Sequence, residues 1–416
     1  MDAARESWHR FDQSRALAAD TGGPLRQGKR GGVRMRDIER TLANIAKTQL
    51  AALSEATGLG PRRRELESWF AILSESWGHA SPEELPLWSG IGDDCSPLEW
   101  SVVLRRDERA EMRILAEAHE EPASPASYWH AAEALTQRIS ANVPLDLERL
   151  ERVRDLFAPR GSEDEVFFSA FHAAVFWADR APMLKLYLNP AARGFASATE
   201  VTREALARLG FHRAWASLEP LLEPPHVTPA FMSLDLGAGE GGRVKVYLRH
   251  RHVPIDSVER AAATAPNYAR ADLARFFETM AGERASAGVT RAVLTTHYFT
   301  DEESQAPRAV ALQMPARPYT DDDAVFTHRF RALLEREGIP ERVYEQALRA
   351  LGVGEDRQGA ATQSWAAFSR IGGEPRIAAY FSPQFYARTF GPLSLDPVRA
   401  WPRPSGHDVG AWGLAI

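Results

Sequence analysis

Lys185 and Tyr187 stand two residues apart in Lys185-Leu186-Tyr187-Leu188, and Lys245 and Tyr247 repeat that spacing in Lys245-Val246-Tyr247-Leu248. The chain has only four lysines among 50 basic residues, so half of them fall in one repeated phrase. On an extended strand, a spacing of two puts Lys and Tyr on one face and the aliphatic residues on the other. Two such strands would point ammonium groups and phenols into a shared space. A lone lysine on a strand is usually a solvated surface residue. Recurrence with the same aromatic argues for an enclosed site, and enclosed cations need an anion such as a phosphorylated substrate.

The elements that must position these residues follow a rhythm. Helical spacing runs from Met35 through Ile38, Leu42, Ile45 and Leu50, and again from Arg63 to Trp77. The period then changes to two over Leu98–Leu104 and Glu111–Leu115, which read as a hairpin. Helical stretches at 127–141 and 146–157 precede strands at 167–177 and 183–188. A helix at 197–210 precedes strands at 230–236 and 243–249. Helices near 256–263 and 269–282 precede strands at 291–299 and 308–314, and helices at 322–337 and 340–351 precede strands at 363–370 and 375–381. This order predicts an α+β fold in which two helical segments and a hairpin repeat five times. Ten antiparallel strands suffice to close a barrel with a ligand-sized lumen, sheathed by helices. Residues 1–34 carry glycine-rich stretches with little periodicity and read as a flexible extension, leaving one barrel domain over 35–416.

Composition narrows the function. A net charge of −6 gives no general attraction to nucleic acid or anionic membrane. The single cysteine, Cys95, excludes an intrachain disulfide framework and fits a cytoplasmic location. No apolar run approaches the ~18 residues of a membrane span, and the N-terminus is unlike a signal peptide.

Four phrases in order carry a specific resemblance: Gly92-Asp93-Asp94-Cys95-Ser96-Pro97-Leu98-Glu99-Trp100-Ser101, Lys185-Leu186-Tyr187-Leu188-Asn189-Pro190, Arg243-Val244-Lys245-Val246-Tyr247 and Tyr380-Phe381-Ser382-Pro383. With the helix–hairpin rhythm, the chain resembles the aromatic prenyltransferases of the dimethylallyltryptophan synthase family, in their bacterial form. The resemblance implies a ten-stranded barrel of ααββ units (the ABBA, or PT, barrel) with the active site in its lumen. It also implies transfer of a dimethylallyl group from dimethylallyl pyrophosphate to an indole, with no cofactor and no magnesium requirement. Arg113, Lys185, Arg243 and Lys245 then clamp the pyrophosphate, with a smaller part for Thr296, which stands where a longer amide is often found. Tyr187, Tyr247, Tyr298, Tyr380 and Trp365 shield the allyl cation through their ring faces. Trp365 replaces a common tyrosine, so it keeps the π-face and loses a hydroxyl. Glu99 matches the anchor of the indole N–H, which the backbone carbonyl of Ile91 helps to hold. His172 is the candidate base for the ring proton, with Glu99 or a water as alternatives; the competing reading of His172 is a core histidine satisfied by its neighbours.

Three motifs mislead. Gly237-Ala238-Gly239-Glu240-Gly241-Gly242 fits G-x-G-x-x-G but precedes a strand, whereas a dinucleotide site needs a helix there. Asp321-Asp322-Asp323 and Asp93-Asp94 resemble magnesium-binding runs but lack a second carboxylate pair at helical spacing. The first reads as a helix start and the second as the loop before Glu99.

The expected partners are a prenyl pyrophosphate and an aromatic small molecule, in a monomer or homodimer, with neither nucleic acid nor membrane involved. The acceptor expected is the indole of tryptophan or of a tryptophan-derived metabolite. Two rivals stand beside it: the same fold and donor with a phenolic or polycyclic acceptor, and a barrel that binds its ligand without catalysis.

Overall fold

The computed structural model describes residues 40–386 apart from 93, 161–165, 167, 238–241, 267, 290–291, 301, 318, 321 and 354–361. The extension expected over 1–34, the start of the first helical stretch, Asp93, Asp321 and the tip of the glycine-rich loop lie outside these residues.

Five ααββ units follow one another. The first is α1 (Leu42–Ala56), α2 (Arg63–Leu73), β1 (Leu98–Leu104) and β2 (Glu111–Glu117). The second is α3 (Pro125–Ser140), α4 (Glu148–Phe157), β3 (Ala170–Phe176) and β4 (Met183–Leu188). The third is α5 (Ala198–Arg208), α6 (His212–Leu218), β5 (Val227–Asp235) and β6 (Val244–His250). The fourth is α7 (Ile255–Ala262), α8 (Asp272–Ala281), β7 (Val293–Phe299) and β8 (Ala309–Pro315). The fifth is α9 (Asp323–Glu337), α10 (Arg342–Ala350), β9 (Gln363–Ile371) and β10 (Glu374–Phe381). Only α6 was not legible as a separate helix. It buries just Ala214 and Leu218, too few positions for a helical period to show.

All strand neighbours pair antiparallel, and β1 pairs with β10 to close a ten-stranded barrel. Closure leaves no free edge. The strands alternate between two buried faces. Trp100, Ile114, Ala174, Leu186, Val246 and Leu248 point outward into the layer filled by the helices. There Trp69 of α2 meets Phe176 edge-on at 6.2 Å, and Trp100 Nε1 donates to Gln49 Oε1 of α1 at 2.9 Å.

Local chemistry fixes the helix ends. Ser124 and Ser127 form a reciprocal capping box at the start of α3, with Pro125 in its first turn. Asp322 accepts the Val325 amide at 2.8 Å to cap α9, which ends at Gly338 with φ +65°. Asp323 accepts the amides of Thr362 and Gln363 at 3.0 and 2.9 Å, tying α9 to the start of β9. Asp94 accepts from Ser96 and from the Ser382 hydroxyl, joining the loop before β1 to the end of β10. These described acids are occupied by backbone and hydroxyl donors. The glycine-rich segment joins strands β5 and β6, as its sequence context required.

The outward face also buries histidines. His172 Nε2 lies 2.8 Å from Thr136 Oγ1 of α3, and His250 Nε2 lies 2.8 Å from Thr295 Oγ1, with His297 beside it. Burial lowers His172 and His297 to about 3 and His250 to about 4. An unfolded chain protonates them near 6.5, so between about pH 6.5 and 4 the unfolded state binds more protons and stability falls with pH. Each histidine steepens that loss by about 1.4 kcal/mol per pH unit. Chemical denaturation across this range is expected to show progressive destabilisation, lessened in His172→Gln; a flat profile would show that these imidazoles ionise freely in the fold.

Candidate active site

The inward face of the barrel is read from the strand register. Around the hairpin-turn half, Ser101 opposes Arg113, Ala173 opposes Lys185, Lys185 opposes Asp235, Ser233 opposes Lys245 and Lys245 opposes Tyr298. Tyr187 opposes Ser233, Tyr247 opposes Thr296, and Trp365 opposes Tyr380. Arg243 immediately precedes β6 and continues the same face. The lumen therefore gathers Arg113, Lys185, Arg243, Lys245, Thr296, Tyr187, Tyr247, Tyr298, Trp365, Tyr380 and Glu99.

His172 is the exception. It opposes Ala116 and Leu186, two outward-facing residues, and its ring is bonded to Thr136 outside the barrel. One position on a strand inverts the face. The expectation that His172 takes the ring proton is therefore corrected: it is a core histidine behind the wall.

Two carboxylates that sequence reasoning passed over organise the cations. Asp235 accepts from Arg243 Nε at 2.6 Å and faces Lys185 Nζ at 3.8 Å, too far for a hydrogen bond. Glu111 accepts from Arg113 Nε at 2.7 Å, from Arg376 at 2.8 Å, from Arg105 at 3.1 Å and from Trp177 Nε1 at 3.1 Å. Burial favours the protonated form of Glu111, yet Arg113, Arg376 and Lys185 hold it well below the usual carboxylate range. Arg113 Nη2 lies 2.6 Å from Glu111 but out of line for a hydrogen bond, so its N–H groups remain unmatched. Glu111 was visible as the residue two positions before the predicted lumen residue Arg113, whereas Asp235 comes against Lys185 only through the pairing of β4 with β5.

Lys185 and Lys245 are 1% and 3% exposed. Burial lowers Lys185 to about 7, with Arg243 and Arg113 adding to the shift and Asp235 opposing it. Burial, together with Lys185 and Arg243, holds Lys245 well below the lysine range. Lys245 Nζ sits 4.4 Å from the centroid of the Tyr298 ring. Beside these groups, the buried hydroxyls of Ser233 and Thr296 have no hydrogen-bond partner. Such groups are costly unless a ligand matches them. Ser233 is a further residue the sequence reading missed.

The other half of the lumen is aromatic and apolar. Tyr187 and Tyr247 lie 5.8 Å apart, and Phe231 meets Tyr247 at 5.7 Å. Ile91, Phe168, Phe171, Ala230 and Leu294 complete this cluster, with Leu115 and Trp365 packed against it. Burial raises the phenols of Tyr187, Tyr247 and Tyr380, so their hydroxyls remain protonated donors. Glu99 accepts from Ser364 Oγ at 2.6 Å and is buried. Ile91 is held by its amide donating to Ser89 Oγ, which in turn donates to Glu117 at 2.8 Å. Among the described residues, no three His, Cys, Asp or Glu side chains are grouped to hold a metal ion, and no helix is long and apolar enough to cross a membrane.

Comparison with known proteins agrees with this architecture. Residues 59–346 match the family model described as tryptophan dimethylallyltransferase. The 6-dimethylallyltryptophan synthase of Micromonospora olivasterospora, solved in complex with DMASPP and Trp, is 28% identical with a TM-score of 0.76, covering 83% of this chain and 98% of its own. The 5-dimethylallyltryptophan synthase of Streptomyces coelicolor is also 28% identical with a TM-score of 0.76, covering 84% and 99%. The prenyltransferase PriB is 27% identical with a TM-score of 0.75, covering 84% and 98%. The match over most of the chain and the closed ten-stranded barrel lead to one assignment: this chain belongs to the tryptophan dimethylallyltransferase family and is a transferase.

Proposed function

We propose that the protein transfers a dimethylallyl group from dimethylallyl pyrophosphate to the indole ring of tryptophan or a tryptophan-derived metabolite. The observation that carries this reading is the division of the lumen, with cations toward the hairpin turns, Glu99 toward the helix-linked end, and aromatic faces between. Family membership and the DMASPP- and Trp-bound relative support it.

The chemistry follows that division. The allylic C–O bond breaks heterolytically, and the electron pair leaves on pyrophosphate. Arg113, Lys185, Arg243 and Lys245 stabilise the growing charge, while the unmatched Ser233 and Thr296 hydroxyls are donors of suitable placement. Those four cations face two carboxylates, Glu111 and Asp235, and this surplus supports a reaction that needs no magnesium. Tyr187, Tyr247, Tyr298, Tyr380 and Trp365 surround the allyl cation with π-faces and exclude water. Glu99 accepts the indole N–H, orienting the ring and stabilising the positive charge that forms as a ring carbon bonds to the allyl carbon. With His172 outside the lumen, Glu99, directly or through a water, takes the ring proton and restores aromaticity. We assign the work to one barrel domain over 35–416 in the cytoplasm, as a monomer or homodimer. The N–H-directed carboxylate favours an indole over a phenolic acceptor.

Incubation with dimethylallyl pyrophosphate and a panel of indoles and phenols, with and without EDTA, is expected to give an indole product one dimethylallyl unit heavier. Equal yield with EDTA is expected, and complete loss would contradict the metal-free reaction. Glu99→Gln should lower turnover of indoles by about 100-fold or more, on the scale of losing a transition-state charge partner, with little change in donor affinity. His172→Gln should keep turnover within about threefold, since the side chain touches no reacting atom. A comparable collapse in His172→Gln would return that residue to the mechanism.

A further inference from the structure

β2 carries a second inward acid. Its lumen face runs Glu111, Arg113, Leu115 and Glu117, from the cation cluster to a point beyond Leu115, the register partner of Glu99. Glu117 opposes Phe171 of the aromatic cluster, and its amide donates to the Pro97 carbonyl at 3.1 Å. It is therefore the diagonal neighbour of Glu99 on the adjoining strand, about 7–8 Å away between backbones. Glu111 is met by Arg105, Arg113 and Arg376. Glu117 is fully buried, and no lysine or arginine among the described residues lies within ion-pair distance of it. The basic group beside it is His119 Nε2 at 3.9 Å, and burial keeps that imidazole neutral by lowering it to about 3. An acid buried without a cation is costly.

Its bonds go to the segment that leads into the acceptor end. Glu117 Oε2 accepts from the Ser89 hydroxyl at 2.8 Å and from the Gly90 amide at 3.0 Å. Ser89 Oγ in turn accepts the Ile91 amide at 3.2 Å. One residue earlier, the Trp88 carbonyl accepts from the Tyr128 hydroxyl of α3 at 2.8 Å, and the Tyr128 ring stacks on His119 at 4.7 Å. Residues 88–91 are thus fastened to β2 and α3, with one carboxyl oxygen holding the middle. Ser89 and Gly90 have no apolar side chain to anchor the segment by packing, so these bonds set its path. Ile91 then enters the lumen cluster beside Phe171 and Leu115. The other carboxyl oxygen, Glu117 Oε1, is buried with no hydrogen-bond partner.

We infer that Glu117 is a positioning residue for the acceptor: through Ser89 and Gly90 it fixes Ile91 against the indole, and so sets which ring carbon the allyl group reaches. This rests on the indole reading of Glu99 and Ile91. Glu117 touches no reacting atom, and its effect passes through the segment it holds. A small shift of that segment would turn the ring relative to the cation, which is enough to change the bond that forms. Burial raises Glu117 to about 8 against the pull of the Ser89 and Gly90 bonds, and the Tyr128 phenol beside it is raised too. At pH 7 the group is therefore an uncharged acid, which a glutamine amide reproduces.

The test is steady-state kinetics of the full chain at pH 7 with dimethylallyl pyrophosphate and the indole that wild type converts best, with the product regioisomers separated and counted. Glu117→Ala is expected to raise KM for the indole about 10-fold or more, the scale of two lost hydrogen bonds. It should also turn one main regioisomer into a mixture, while KM for the donor stays within about twofold, since the clamp is distant. Glu117→Gln should restore most of the affinity and selectivity that the alanine loses. Ser89→Ala should move both readouts the same way by less, and serves if Glu117→Ala is poorly folded. An unchanged indole KM and product ratio in Glu117→Ala would overturn the inference. Equal rises in donor and indole KM, or a glutamine variant as impaired as the alanine, would overturn it too, and each leaves indole prenylation standing. No product from any indole with wild type would instead overturn the proposed function, and the role of Glu117 with it.

Discussion

Burying cations faster than the fold supplies anions is the constraint on which the rest of this structure depends. Lys185 and Lys245 are enclosed among Arg113 and Arg243, with Asp235 and Glu111 as the facing carboxylates. Desolvation penalises every one of these charges, and mutual repulsion adds to it. The lumen tolerates the arrangement because the two acids are each shared among several cations and the lysines are pushed toward their neutral form. The barrel must therefore be rigid and closed, since an open edge would let water relax the stress and dissipate the binding energy. Ten strands without a free edge, wedged between helices by Trp69, Trp100 and Phe176, provide that rigidity.

The same constraint orders the chemistry along one strand. On β6, Arg243, Lys245 and Tyr247 share the inward face, where the proposed reaction would set the leaving group against the two cations and the allyl cation against the phenol ring. Alternation spaces successive inward residues about 7 Å apart, so the seven residues of β6 carry inward side chains from the hairpin turn toward the helix-linked end. Hydrophobic Val244, Val246 and Leu248 on the other face fix the register that keeps each role in place.

Much of this was legible in the sequence, and for a physical reason. Strand alternation and helix periodicity are local, so the ααββ units and the inward Lys-x-Tyr pairs could be read without a fold. Counter-charges were harder. Asp235 and Glu111 matter only because the closing register brings them against Lys185, Arg376 and Trp177, contacts between distant segments of chain. His172 shows the limit most plainly. It sits thirteen residues before Lys185, but the turn between their strands decides which face it takes, and here it turns outward to Thr136. α6 escaped notice because it is short and buries only Ala214 and Leu218.

The central claim is that burial pushes the lumen lysines toward their neutral form, and that a bound pyrophosphate would draw protons back onto them. The unreactive thiolo analogue of dimethylallyl pyrophosphate is fully ionised at pH 8, where Lys185, lowered to about 7, is mostly neutral. Calorimetric titration of the protein with that analogue at pH 8, in two buffers of different ionisation heat, reports the protons exchanged on binding. Net uptake, reduced in Lys185→Met and diminishing as the pH is lowered toward 6, is the predicted result, with Lys245 supplying the remainder. Tight binding with no proton uptake at pH 8 would mean that the cations were charged beforehand, and would contradict the account.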